Sequence, residues 1–246
     1  IKFLFWHIYA FISHFIEIRL FCSSYYEIYK ISSKILIPNK FEFNLLYDHV
    51  SSYNFLKISE FKFKNKYLLN KNIKLLLASR YSWEKGIDET MALLSKLTHD
   101  ELKNLEISII GCNLDLRNKY PNLVEKIRFI DFTERENILF EMDKADIFLA
   151  PSKHESYCWA VFEALQMGCK VLVTSSSPWR FINDNEYIKP INPLLKKTNP
   201  KQFLLLLREM KNKPRKKFLF EELIKILEDS DINWKKFLKK GLIINY

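Results

Sequence analysis

Between Ala145 and Thr174 the chain reads ADIFLAPSKHESYCWAVFEALQMGCKVLVT, and this stretch decides the fold class. Asp146 to Ala150 is a short, unbroken apolar run stopped by Pro151 and Ser152. Such a run suits a strand buried on both faces. Ser156 to Met167 then has helical spacing and is closed by Gly168, the residue type that most often ends a helix in the left-handed conformation. Lys170 to Thr174 (KVLVT) is a second apolar run. Strand, loop, helix and strand in this order form a βαβ unit, with parallel strands and a right-handed crossover.

Working outward, the same alternation recurs. Ile73 to Ala78 (IKLLLA), Leu105 to Ile110 (LEISII) and Ile127 to Ile130 read as strands. Gly86 to Leu97 and Glu134 to Lys144 read as helices, the first with Ile87, Met91, Leu94 and Leu97 at three- and four-residue spacing. Beyond Pro200 three more helices are predicted: Phe203 to Met210, Phe218 to Leu227 and Trp234 to Leu242. The expected fold is α/β, a Rossmann-like doubly wound parallel sheet. Ligands of such sheets bind at the carboxyl ends of the strands. The loops after Ala78, Ile110, Ile130, Ala150 and Thr174 are therefore the candidate site.

Composition narrows the chemistry. With 246 residues, 48% hydrophobic and 28% charged, the chain has an ordinary globular balance and room for one large domain or two small ones. It has four glycines, far below the usual ~7%. No two of Gly86, Gly111, Gly168 and Gly241 are close, which excludes a P-loop or a GxGxxG dinucleotide turn. Thirty-nine Lys and Arg against twenty-nine Asp and Glu leave a net charge of +10, which favours an anionic partner: nucleic acid, anionic lipid or a phosphorylated substrate. The basic runs Lys211 to Lys217 (KNKPRKK) and Lys235 to Lys240 (KKFLKK) read as solvated surface. Cys22, Cys112, Cys158 and Cys169 form no CxxC pair and no zinc spacing, so reduced thiols in a cytoplasmic protein are the simplest reading. Phe3 to Ile16 carries no formal charge but falls short of the ~20 apolar residues that span a bilayer. It reads as a buried helix or strand pair, with a helix lying on a membrane surface as the alternative.

Two loops carry chemistry. Ser79 to Gly86 (SRYSWEKG) sets Arg80 and Lys85 five residues apart on a loop feeding a helix N-terminus. Fixed positive charge beside helix-start amides suits an oligophosphate, although the pair alone also fits two solvent-facing side chains. Glu155 and Glu163 stand eight residues apart, one before a helix and one within it. At ~1.5 Å rise per residue they would lie about 12 Å apart. Carboxylates sharing one glycosidic bond sit ~5–9.5 Å apart, so the wider span suits the two ends of an extended ligand. Taken singly, Glu155 also fits a helix-dipole partner and Glu163 an ordinary helix-face acid.

In sequence order, SRYSWEKG, IRFIDF, ADIFLAPSKHE and ESYCWAVFEALQMGCKVLV resemble the donor-binding half of a retaining GT-B glycosyltransferase of family 4, glycosyl transferases group 1. Its pattern is an Arg ahead of a Lys-Gly turn, then Pro-Ser, then Glu-x7-Glu, then a strand. The likeness runs from about Ile35 to Asn192, and Ile37-Pro38-Asn39 is similar to the family's interdomain turn. It implies a catalytic set of Arg80, Lys85 and Glu155: the two cations on the diphosphate of a nucleotide-sugar, the carboxylate on hydroxyls of the transferred sugar. It also implies that Glu163 holds the ribose, and that backbone amides from Tyr157 through Cys158 and Trp159 to Ala160 touch sugar and phosphates. Phe132, beside Asp131, would hold the base through main-chain contacts, and Gly111 would belong to the same donor site.

No metal and no cofactor are implied; the donor is a substrate, UDP- or GDP-linked. The acceptor would be a saccharide or lipid-linked hydroxyl in cell-envelope polysaccharide or glycolipid synthesis. The resemblance implies a cytoplasmic location with peripheral contact at the cytoplasmic membrane face. Nucleic acid is not an expected partner, because carboxylates in the cleft would repel phosphodiesters. The implied domains are 1–41, a remnant of an N-terminal acceptor domain that is largely missing; 42–227, the donor-binding domain; and 228–246, a C-terminal helix. The start at Ile1 rather than Met fits a fragment, and the alternative function is a truncated nucleotide-sugar-binding module without transfer activity. Departures from the pattern are the absent glycines near Cys158 and Asp131, Gly111-Cys112-Asn113 in place of Gly-x-Gly, and Ser175 to Trp179 in place of a glycine-bearing turn.

Overall fold

The computed structural model describes residues 18–22, 41–45, 72–111, 114–131, 133–153, 158–174, 186–192, 194–219, 222, 223 and 225. Strands β1 (Ile18–Cys22) and β2 (Phe41–Leu45) pair in parallel, Ile18 opposite Phe41, as a two-stranded sheet. The domain boundary expected at residue 41 falls on the first residue of β2. From Ile73 the chain builds a second sheet through β3 (Ile73–Ala78), α1 (Ile87–Leu94), α2 (His99–Leu102), β4 (Leu105–Ile110), α3 (Leu114–Lys119) and α4 (Pro121–Val124). It continues with β5 (Ile127–Ile130), α5 (Arg135–Lys144), β6 (Ile147–Ala150), α6 (Trp159–Gln166), β7 (Lys170–Thr174), β8 (Ile188–Ile191) and α7 (Pro200–Asn212).

The strand order is β5-β4-β3-β6-β7-β8, and every pair is parallel. This is the doubly wound α/β sheet expected from the sequence. Its order reverses between β3 and β6, the point at which such sheets open a crevice. The strands hold because their residues serve two cores in alternation. Leu75 and Leu77 of β3 join Ile147, Leu149 and Leu172 on one face, against Ile87, Met91 and Leu94 of α1 and Phe203 and Leu207 of α7. Leu76, Phe148, Val171 and Val173 face the other way, against Leu139 and Met142 of α5 and Phe162 and Leu165 of α6. Each such side chain, fully buried, contributes roughly 1.5–3 kcal/mol.

The structure corrects several readings. Helix α6 begins at Trp159, not Ser156, because Cys158 sits in the left-handed region at φ 54° and ψ 69° and cannot continue a right-handed helix. Helix α1 ends at Leu94, and the chain turns over Ser95 to Leu97. Strand β8, IKPI, was not expected; it lies at the sheet edge, where Pro190 costs no ladder bond on its outer side. The run at Lys211 to Lys217 is only in part a solvated surface. Arg215 donates to the carbonyls of Asp143 (2.8 Å), Met167 (2.9 Å) and Gly168 (3.2 Å), and Lys211 donates to Asn72 O and to Asp146 Oδ2 (3.1 Å). Unpaired carbonyls at helix C-terminal ends attract cations, and these are their partners here. Of the helix expected over Phe218 to Leu227, residues 222, 223 and 225 are described as helical, whereas Phe218 and Leu219 are not. Phe3 to Ile16 and Trp234 to Leu242 lie outside the described residues. Among the described residues no helix is long and apolar enough to cross a membrane.

Candidate functional site

At the carboxyl ends of β3 and β6 lies a cavity of about 260 Å³, lined by Arg80 and Lys85 from one loop, Ser152 from the next, and Cys158, Trp159 and Ala160 at the start of α6. Five of the residues singled out in the sequence therefore meet in one place. The side that brings Arg80 and Lys85 there is built on glycine. Gly86 ends the Trp83–Lys85 turn at φ 69°, and a Cβ there would stand 2.0 Å from the carbonyl oxygen of Pro151. The loop after β3 thus touches the loop after β6 backbone to backbone. The amide of Lys153, donating to Glu84 O at 2.7 Å, closes the seam. First-turn amides of a helix point outward with a partial positive charge, so α6 adds to the field of Arg80 and Lys85 at the cavity.

Gly111 does not line this cavity. It has φ 86°, and a Cβ would come within 2.5 Å of Ser79 O, so its smallness lets the loop after β4 close onto the root of the cationic loop. Glu163 is set back from the cavity on α6, 7% exposed, and Arg135 of α5 donates from Nε to its Oε1 at 2.6 Å. Burial pushes the Glu163 carboxyl above the usual range, and the Arg135 guanidinium opposes the shift. Phe132, Glu155 and Tyr157 lie outside the described residues.

Several supporting residues carry no motif in the sequence. Glu89 of α1, nearly buried, receives Lys153 Nζ at 3.4 Å and both the amide and Nζ of Lys196 at 3.4 Å. Burial would raise its pKa, but the Lys196 amide and the two ammonium groups outweigh that and hold it below the usual carboxylate range. Its neighbour Asp88 accepts from Tyr81 Oη at 3.2 Å and from Lys119 Nζ at 2.7 Å. Two adjacent acids on α1 therefore tie down the loop of Arg80 on one side and the loop of Ser152 on the other. Arg135, Glu89 and Asp88 act over long sequence separations, and no local pattern marks them.

A larger cavity, about 650 Å³, opens beside β4 and β5 and contains none of the predicted site residues. Arg128 and Lys144 of its lining are both taken up by the carboxylate of Glu141, Lys144 at 3.1 Å. The cavity at the switch point has the cations, the helix start and the topology of a ligand site.

A parallel sheet ordered in this way, with a cation-lined crevice at its switch point, defines a Rossmann-like domain of the GT-B kind. Residues 59–223 match the glycosyl transferases group 1 pattern, and the chain belongs to that family. Its fold is similar to WaaG, a glycosyltransferase involved in lipopolysaccharide biosynthesis, at 18% identity and a TM-score of 0.54 over 88% of this chain and 58% of that one. It is also similar to sucrose-phosphate synthase from Thermosynechococcus elongatus, at 13% identity and a TM-score of 0.53 over 92% and 59%. A third likeness is to the pneumococcal O-GlcNAc transferase GtfA in complex with UDP and GlcNAc, at 17% identity and a TM-score of 0.52 over 91% and 45%. At these identities the likeness is one of fold. The chain spans between 45% and 59% of the length of these three structures. No curated protein matches it.

Proposed function

We propose that this chain forms the donor-binding half of a retaining, metal-independent glycosyltransferase that uses a UDP- or GDP-linked sugar. The observation that carries the reading is the convergence of Arg80, Lys85 and the start of α6 on one cavity at the sheet's switch point. A diphosphate leaving group gains negative charge as the bond to the anomeric carbon breaks. Two fixed cations and a helix N-terminus stabilise that charge as it grows, which is electrostatic catalysis of the leaving group. They supply at this position what a divalent cation supplies in other transferases. The acceptor hydroxyl, on a saccharide or lipid-linked glycan of the cell envelope, adds on the face the phosphate leaves, so configuration is retained. Glu155 contacts the hydroxyls of the sugar being moved, Glu163 the ribose, and Phe132 and Tyr157 the base and the sugar through their main chains.

Titration calorimetry of the 246-residue chain with UDP, GDP and ADP tests this. Arg80→Ala and Lys85→Ala each weaken the best of the three by ~1.5–3 kcal/mol, the range for hydrogen bonds to charged groups. Equal affinity for the wild type and the double variant overturns the phosphate assignment. A second reading is a nucleotide-sugar-binding module with no transfer of its own. Positioning donor and acceptor together is worth up to ~7–11 kcal/mol of barrier. A chain that binds donor but moves no sugar to any acceptor supports this second reading.

A further inference from the structure

The pairing of Glu163 with Arg135 bears on how a ribose would be held, an argument that rests on the donor-site reading above. Glu163 lies in the second turn of α6 and is almost fully buried, whereas Arg135 opens α5, the helix that follows the carboxyl-end loop of β5. Two helices packed against each other, α5 and α6, thus each contribute one member of the pair. Arg135 takes a single oxygen, Oε1, at 2.6 Å, and among the described residues Oε2 accepts no hydrogen bond. One oxygen is anchored and the other remains for a ligand. A buried carboxyl without a cation would tend to neutralise, and a neutral carboxyl is a weaker acceptor for hydroxyl groups. Its side chain would also turn about its terminal torsion, which is broad and weakly restrained.

We infer that Arg135 is a positioning residue for ribose recognition: by holding Oε1 of Glu163 it keeps Oε2 fixed as the acceptor for a ribose hydroxyl of the nucleotide. In this role Arg135 acts only through Glu163, not on sugar or phosphate. Its influence on affinity must therefore pass through the ribose hydroxyls and vanish when they are absent. A purely structural ion pair has no such signature.

The test uses the 246-residue chain and four probes: UDP, GDP and their 2′,3′-dideoxy counterparts. Wild type is expected to prefer the ribose form of the better-bound base by about tenfold or more, the value of one charge-assisted hydrogen bond. Glu163→Gln and Arg135→Gln should each bring that preference close to unity, leave the dideoxy affinity within about twofold, and add nothing to each other in the double variant. Arg135→Lys, which keeps the charge but not the guanidinium geometry, should retain an intermediate preference. A full preference in Arg135→Gln beside a lost one in Glu163→Gln overturns the inference alone. Equal loss of ribose and dideoxy forms in Arg135→Gln also overturns it, because the pair is then only structural. If Arg135→Gln does not fold, Arg135→Lys is read in its place, and a full preference there has the same force. No ribose preference in the wild type, or one that survives in Glu163→Gln, overturns the assignment of ribose to Glu163. No binding of any probe overturns the donor-site reading itself.

Discussion

The two ends of the six-stranded sheet both gather cations and use them in opposite ways. At the amino end, Arg215 is spent on three carbonyl oxygens and Lys211 on Asn72 and Asp146. Lys170, opening β7, is 1% exposed and reaches the carbonyl of Lys211 at 3.4 Å. At the carboxyl end, Arg80 and Lys85 face a cavity, and neighbouring backbone is held in left-handed conformations at Gly86, Gly111 and Cys158. One end uses positive charge to complete the fold. The other turns it toward a cavity, among tight turns and close backbone contacts. In a doubly wound sheet this asymmetry is what topology imposes, because loops at the carboxyl end are those that a ligand can reach.

The largest expected effect is at the carboxyl end. Gly86→Ala puts a methyl group against Pro151 O and a non-glycine residue in the left-handed region. Together these should cost about 2–5 kcal/mol in urea unfolding and abolish nucleotide binding, since the two site loops must part. Next is Arg215→Met at the amino end. It leaves three carbonyls to water and should lower stability by about 2–4 kcal/mol, yet leave nucleotide affinity unchanged wherever the variant remains folded. If that affinity fell in step with stability, the two ends would not be separable.

Lys170→Met should be milder and of opposite sign. Burial holds the Lys170 ammonium below the ordinary lysine range, with Asp146 pulling the other way. A lysine with a depressed folded pKa binds its proton more tightly when unfolded. It therefore destabilises the fold in full below the folded pKa, and that penalty fades as pH rises toward the unfolded value. Lys170→Met should accordingly gain about 1 kcal/mol at pH 7, and the gain should shrink as the pH is raised toward 10. A gain that is constant with pH would mean that packing, not charge, is responsible. The smallest effect is Cys158→Gly, which removes left-handed strain worth roughly 1 kcal/mol and should raise the melting temperature without loss of binding.

Much of this asymmetry was legible in the sequence, but not all of it. The strands could be read because IKLLLA, LEISII, DIFLA and KVLVT are continuous apolar runs, and burial on both faces demands such runs. Arg80 and Lys85 could be read because they share one loop with a Lys-Gly turn. β8 was hidden because IKPI carries a charge and a proline, which only an edge position tolerates. The start of α6 was misread because no local pattern announces a cysteine in the left-handed region. The supporting pairs could not be read in principle from one chain. Arg135 meets Glu163 across 28 residues, Lys153 meets Glu89 across 64, and Lys196 meets Glu89 across 107. The basic run failed for the same reason: Lys211 meets Asn72 O and Asp146 across 139 and 65 residues, and Arg215 meets carbonyls of α5 and of the residues after α6, which have no letter in a sequence.

The contact of Gly86 with Pro151 makes the two site loops a single cooperative unit. Their amides at 79–86 and at 152 and 153 should open to hydrogen exchange together, because neither loop can leave without breaking the seam that both share. A ligand entering there meets these two segments already joined, and little of its binding energy goes into ordering them. Any later tightening around it must then come from the sheet moving as one body, not from a hinge between these loops.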